Sequence, residues 1–90
     1  MPKLDEQTLA KRLPALAGWE RTGEAISKRY AFDGFKSAMA FANRAAELAE
    51  QMDHHPDILI GYDKVTLTLT SHDSGGITER DLRFAERIDA

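Results

Sequence analysis

Along KVTLTLT, residues 64–70, apolar and polar side chains alternate without a break. Val65, Leu67 and Leu69 fall on one side, and Thr66, Thr68 and Thr70 on the other. Successive side chains of a strand point to opposite faces, so this stretch predicts a β-strand with one buried face and one threonine face. Just upstream, Ile58, Ile60 and Tyr62 alternate in the same way, and Asp63-Lys64 predicts the turn that joins the two strands as a hairpin. GWERTGEAISKRYAF predicts an earlier hairpin, with Trp19–Arg21 as first arm, Gly23-Glu24 as turn and Ala25–Phe32 as second arm. In that second arm Ile26, Lys28, Tyr30 and Phe32 share a face opposite Ser27, Arg29 and Ala31, and Lys28 interrupts the apolar stripe.

Between the hairpins the period changes from two to three or four. Phe35, Met39, Ala42, Ala46 and Ala49 form one helical stripe, and Ala38, Phe41, Ala45, Leu48 and Met52 a neighbouring one. Alanine, the strongest helix former, dominates, and its small side chain lets a helix lie close to a sheet. Asp33 is the predicted N-cap, and the constraint that Pro56 puts on the residue before it predicts that the helix frays over Asp53–His55. A shorter helix is predicted over Asp5–Leu13, where Leu9 and Leu13 lie four apart; Pro14 and Gly18 end it. After the DSGG loop, Thr78 caps a final helix with Leu82, Ala85 and Ile88 along one side. The order α-β-β-α-β-β-α predicts an α+β fold, a four-stranded antiparallel sheet with three helices packed on one face.

Ninety residues suit one domain, 1–90, with a modest core, so that self-association would bury useful apolar surface. The absence of cysteine excludes disulfides and thiolate chemistry. No apolar run approaches a membrane span, and the charged start MPKLDEQTLAKRL is unlike a signal peptide; both lead to an expected cytoplasmic location. A net charge of −3 with interleaved acids and bases is unsuited to direct nucleic-acid binding.

The candidate chemistry lies in the histidines. His54 and His55 stand where the long helix ends, and His72 stands on the threonine parity at the end of the last strand. Antiparallel pairing starts one strand where its neighbour finishes, so all three are predicted to meet at one rim of the sheet, with Asp81 flanking them. Each also has a plainer reading. A histidine at a helix C-terminus suits the dipole, Thr78-x-x-Asp81 is a capping pattern, and Tyr62 and Trp19 are ordinary packing residues. Metal binding is disfavoured, because adjacent residues of an extended chain point apart and no HExxH spacing occurs. No GxSxG elbow is present, and SGG lacks the lysine of a phosphate loop. Proton transfer by imidazole remains.

The spacing of these residues resembles the signature of the pterin-4a-carbinolamine dehydratase family: Glu50, three residues, His54-His55-Pro56, five residues, Tyr62, nine residues, His72, eight residues, Asp81. GW before the first hairpin, YAFDGFKSAMAFANRAAELAE and ITERD extend the likeness over most of the chain. The resemblance implies the same four-stranded, three-helix fold. It implies a hydro-lyase that converts a 4a-hydroxytetrahydropterin to quinonoid dihydropterin and water, recycling tetrahydropterin without a metal or bound cofactor. His54 and His72 would then serve as acid and base, and His55 would hold the pterin or assist. Asp81 would orient an imidazole, Glu50 belongs to the pattern, and backbone near Pro56 and Ser74 would read the pyrimidine edge. A homodimer or homotetramer is expected. The alternative is a non-catalytic member, either a dimerisation or coactivator-type binding module or an accessory protein in pterin or molybdopterin metabolism.

Overall fold

The structure, a computed structural model, describes residues 2–90. Helix α1 (Glu6–Arg12) begins at Asp5, whose carboxylate accepts from the Thr8 N–H at 2.8 Å, and gives way to a 3₁₀ turn over Leu13–Ala15. Strands β1 (Glu20–Thr22) and β2 (Ala25–Ala31) form the first hairpin, α2 (Phe35–Met52) follows, and β3 (Asp57–Gly61) and β4 (Lys64–Leu69) form the second. A 3₁₀ turn over His72–Ser74 then leads to α3 (Glu79–Ile88). The four strands make one antiparallel sheet in the order β1-β2-β4-β3. The predicted architecture is therefore the observed one.

Strand β4 lies inside the sheet, and its alternation works as predicted. Val65, Leu67 and Leu69 are fully buried, as is Ile26 across from Leu69 on β2. They join Ala38, Phe41, Ala45 and Ala49 of α2 and Leu82, Phe84, Ala85 and Ile88 of α3 in one core on one side of the sheet. The opposite side carries Ser27, Arg29, Thr66, Thr68 and Leu59, which is 69% exposed. Of the two α2 stripes, the one through Ala38, Phe41 and Ala45 faces the sheet, while the other is divided, with Ala42 and Ala49 buried and Phe35 and Ala46 facing water. Tyr30 and Phe32 pack their rings on Phe41, with centroids 4.3 and 5.3 Å apart.

Lys28 occupies its core-side position without burying its charge. Its stem runs along the edge of the core, and its ammonium donates to the Ala17 carbonyl and the Asp89 carboxylate, each at 2.9 Å. Trp19 is buried and its indole N–H donates to the same carboxylate at 2.9 Å.

Three boundaries differ from the sequence reading. The first arm is Glu20–Thr22 rather than Trp19–Arg21, because Trp19 is drawn into the core ahead of the first strand pair, Glu20↔Ser27. The second hairpin turns at Tyr62-Asp63, not Asp63-Lys64, since Gly61 pairs with Lys64. Tyr62 thus leaves the alternation; it takes a positive φ of 49° and is 70% exposed. Helix α2 starts after Gly34 and not at an Asp33 cap. The Asp33 carboxylate accepts instead from the Ser37 hydroxyl at 2.8 Å, one turn into the helix.

Candidate active site

The end of α2 sets the direction of the histidine pair. Asp53 adopts the left-handed conformation, φ 49° and ψ 44°, and its N–H bonds back to the carbonyls of Ala49 and Glu50. The His54 N–H also returns to the Ala49 carbonyl, at 3.1 Å. This closure satisfies the Ala49 and Glu50 carbonyls and swings the chain out towards Pro56 and β3. The predicted fraying over Asp53–His55 is thus an ordered turn. Because Asp57 pairs with Thr68, the chain enters β3 beside the place where β4 ends.

At that end of the sheet β4 passes into a short closed loop. Ser71 pairs with Gly76 as an isolated bridge, with the Ser71 N–H donating to the Gly76 carbonyl at 3.0 Å and the Gly76 N–H returning to Ser71 at 3.3 Å. His72–Ser74 form the turn inside it, and Gly75 supplies the left-handed residue, φ 76°, that closes it. The N–H groups of Ser74 and Gly75 bond to the carbonyls of Ser71 and His72. His72 therefore belongs to a turn and not to the strand, but it stays on the exposed side that its parity predicts. It lines a surface cavity of about 340 Å³ together with Glu24, Ala25, Thr70, Gly75 and Gly76.

The loop delivers the chain to α3, whose first turn carries Asp81. Thr78 and Asp81 form a capping box, and the Thr78 N–H donates to Asp81 Oδ2 at 2.8 Å. The capping pattern read from the sequence is real, and the same carboxylate does more. Its Oδ1 lies 2.5 Å from His54 Nε2, and its Oδ2 also accepts from the Ser71 hydroxyl at 2.9 Å. Asp81 is fully buried and His54 nearly so, at 7% exposure. A carboxylate only accepts, so His54 Nε2 carries a proton and donates it to Asp81. His54 Nδ1 bonds to none of the described residues and is not sealed from solvent.

The other expected residues are placed differently. His55 turns away to Glu50, with Nε2 2.6 Å from Oε2, both side chains being mostly exposed. The adjacent imidazoles thus serve different carboxylates, one on α3 and one on α2. Pro56 and Ser74 are half-buried; Ser74 lies in the turn beside His72. The wall of the His72 cavity contains neither His54 nor His55. What joins the two regions is the Ser71–Asp81 hydrogen bond, one residue before His72.

Two ion pairs flank the cavity. Lys3 Nζ meets Glu24 Oε2 at 2.6 Å, and that hydrogen bond, with the lysine charge behind it, holds the Glu24 carboxyl below its usual range. The Arg80 guanidinium does the same for Asp73 from 2.7 Å. No group of three or more His, Cys, Asp or Glu side chains among the described residues is arranged to hold a metal ion. No helix among them is long and apolar enough to cross a membrane.

Ser71 was missed in the sequence. It continues the parity of Val65, Leu67 and Leu69 and is 1% exposed. A polar residue at the next core-facing position of a strand was the signal available, since a buried hydroxyl requires a partner.

A family model described as pterin 4 alpha carbinolamine dehydratase matches residues 2–90. A protein of Thermomicrobium roseum, provisionally named a pterin-4-alpha-carbinolamine dehydratase, is 52% identical over 88 residues, covering 98% of this chain and 95% of its own. Among solved structures, a transcriptional coactivator/pterin dehydratase from Brucella melitensis superposes with a TM-score of 0.91 at 36% identity, over 97% of this chain and 95% of that one. A pterin dehydratase-like protein identified as a RuBisCO assembly factor in the alpha-carboxysome gives 0.68 at 32% identity, over 80% and 86%.

Proposed function

The chain belongs to the pterin 4 alpha carbinolamine dehydratase family, and on that premise we propose that it dehydrates a 4a-hydroxytetrahydropterin by histidine acid–base catalysis. In a carbinolamine the hydroxyl and a ring nitrogen share one carbon. The C–O bond breaks as the hydroxyl takes a proton and leaves as water, and the nitrogen loses its proton as the C=N bond of the quinonoid dihydropterin forms. An acid and a base with pKa values near the working pH are the aids such a step needs, each typically contributing about 10²–10⁴-fold.

The observation that carries the reading is the buried His54–Asp81 pair at the rim where the His72 loop begins. Asp81 occupies Nε2, so His54 exchanges protons with substrate through Nδ1, and the imidazolium that forms is stabilised by the carboxylate behind it. His72 supplies the opposite proton movement from the wall of its surface cavity, whose volume suits a small bicyclic ring. His55, steadied by Glu50, holds the pterin from the solvent side or assists. Backbone groups around Pro56 and Ser74 read the pyrimidine edge. The loop N–H groups of Ser74 and Gly75 are already engaged, which favours carbonyl acceptors for that task. No metal or bound cofactor takes part, and the activity serves tetrahydropterin recycling. The working protein is one domain, a homodimer or homotetramer in the cytoplasm.

The test is the decay of transiently generated carbinolamine, followed spectrophotometrically. His54→Ala and His72→Ala chains should fold and lose about 10²–10⁴-fold in rate. Unchanged rates in both would remove the acid–base assignment, and loss of activity to a chelator with recovery on zinc would revive a metal. The Brucella relative's description as a transcriptional coactivator supports a second reading, a binding module without catalysis. Wild-type protein that leaves carbinolamine decay unaccelerated would favour it.

A further inference from the structure

We infer that Ser71 is a positioning residue that holds both catalytic imidazoles from beneath, His54 through Asp81 and His72 through the chain. The inference rests on the acid–base reading of those two histidines. Its basis is an accounting of protons in the buried cluster. Ser71 Oγ lies 2.9 Å from Asp81 Oδ2 and 2.8 Å from Thr78 Oγ1. A carboxylate has no proton to give, so the single hydroxyl proton of Ser71 goes to Asp81. The contact with Thr78 must then run the other way, from the Thr78 hydroxyl to Ser71 Oγ. Thr78 Oγ1 in turn accepts from the Arg80 N–H at 3.2 Å. The chain of donors is one-directional: Arg80 N–H to Thr78, Thr78 to Ser71, Ser71 to Asp81 Oδ2. The remaining oxygen, Oδ1, is aimed at His54 Nε2.

The geometry follows from that order. Two donors, the Ser71 hydroxyl and the Thr78 N–H, fix Oδ2 and prevent the carboxylate from rotating about its last bond. With Ser71 removed, one donor is left on Oδ2, and the Thr78 hydroxyl loses its acceptor. Ser71 is itself immovable, since its N–H and carbonyl are both bonded to Gly76 and its side chain is buried. His72 follows directly as the first residue of the loop turn. One buried serine therefore ties the two imidazoles together, its hydroxyl aiming His54 through Asp81 and its backbone anchoring the turn that carries His72.

The test compares Ser71→Ala, Ser71→Val and Ser71→Thr in the full chain. Threonine and valine have the same shape, so that pair isolates the hydroxyl. The Ala and Val variants should lose about 10–100-fold in kcat with KM within about twofold, and Ser71→Thr should recover most of the rate. Without substrate present, the low-field ring N–H proton of His54 should be visible by NMR in wild type and Ser71→Thr, and shifted or lost in the other two. Wild-type kcat with an unshifted ring signal in Ser71→Ala would overturn the inference. So would a folded Ser71→Thr as slow as Ser71→Val, or an Ala variant that only melts earlier. Retained activity in His54→Ala would instead strike at the catalytic reading, because the ring signal reports the clamp without any turnover.

Discussion

Replacing Asp81 by asparagine separates the fold-holding role of this side chain from its chemical one. Alanine would not, because it orphans three buried donors at once: His54 Nε2–H, Ser71 O–H and the Thr78 N–H. At about 1–3 kcal/mol each, these losses sum to an amount comparable with the whole stability of a 90-residue chain, roughly 5–13 kcal/mol. Asparagine keeps the shape and most of the bonds. Its oxygen can take the Oδ2 place and accept from Ser71 and Thr78, which leaves the amide NH₂ facing His54. Only the charge assistance goes, at about 1–2 kcal/mol, so Asp81→Asn should remain folded. The imidazole must then accept at Nε2 and carry its neutral proton on Nδ1, the reverse of the native tautomer. It also loses the carboxylate that stabilises its cation. An equivalent swap behind a catalytic imidazole in a serine protease lowers kcat about 10⁴-fold, and a loss of about 10²–10⁴-fold is expected here. Urea melts give the stability difference, carbinolamine decay gives the rate, and nitrogen NMR of the His54 ring gives the tautomer. An Asp81→Asn protein with an inverted tautomer and a kcat within about threefold of wild type would refute the reasoning, since a factor that small is below 1 kcal/mol in the barrier.

Two further outcomes concern the scaffold. The Asp89 carboxylate accepts from Tyr30 O–H at 2.6 Å and from Lys28 and Trp19 at 2.9 Å each. Burial alone would raise its pKa, but these three donors together outweigh that and hold it below the ordinary 3.8. A depressed carboxyl stabilises the fold above its unfolded value and loses that contribution as pH falls through the folded one. Asp89→Asn should therefore lower stability by about 1–2 kcal/mol near neutrality in urea melts, with the gap to wild type closing below about pH 4. A gap that persists in acid would show that shape and not charge is at stake. Tyr62→Asn should raise the melting temperature by about 2–4 °C, because Tyr62 sits exposed at φ 49° and asparagine tolerates that conformation better. A lower melting temperature would mean that the tyrosine ring contributes packing.

How much of this was legible in the sequence depends on whether a feature is local. The alternation of Val65 to Leu69 specified a strand, its buried face and the half-buried face of Thr66 and Thr68, because a one-residue slip would reverse every side chain. The Thr78-Asp81 cap was legible for the same reason. The Tyr62 turn was not, because alternation carries on through Tyr62 in the sequence and only the Gly61↔Lys64 pairing ends the strand before it. Two apolar stripes on α2 were equally periodic, and only the sheet decides that Ala38 and Phe41 are covered while Phe35 is left 53% exposed. At the site, the structure joins His54 to Asp81 and leaves His72 on a cavity whose wall holds neither His54 nor His55. The sequence could not divide the labour between His54 and His55, which depends on the left-handed turn at Asp53 and on which carboxylate each ring meets. A second task for Asp81 was expected from its place after the His72 loop and from the family resemblance, but not which imidazole it meets, because that bond joins residues 27 positions apart.

That second task would place the proposed acid–base centre on a helix terminus, which is ordinarily where a helix is loosest. The first turn of α3 is instead tied by three consecutive residues to three different parts of the molecule. Glu79 takes both guanidinium nitrogens of Arg12 at the end of α1, at 2.8 and 2.7 Å. Arg80 reaches Asp73 in the His72 loop, and Asp81 takes His54 and Ser71. The Glu79 and Arg80 ties are part-exposed ion pairs of the kind worth at most about 1 kcal/mol apiece, whereas the Asp81 bonds are buried and charge-assisted. The strength of the terminus therefore lies in the same bonds that aim the imidazole. Fraying of this turn would break the His54–Asp81 pair before it exposed any of the core. A fold of 90 residues has little core to hold a site rigid, and here the rigidity comes from letting the helix cap and the buried His54–Asp81 pair share one carboxylate.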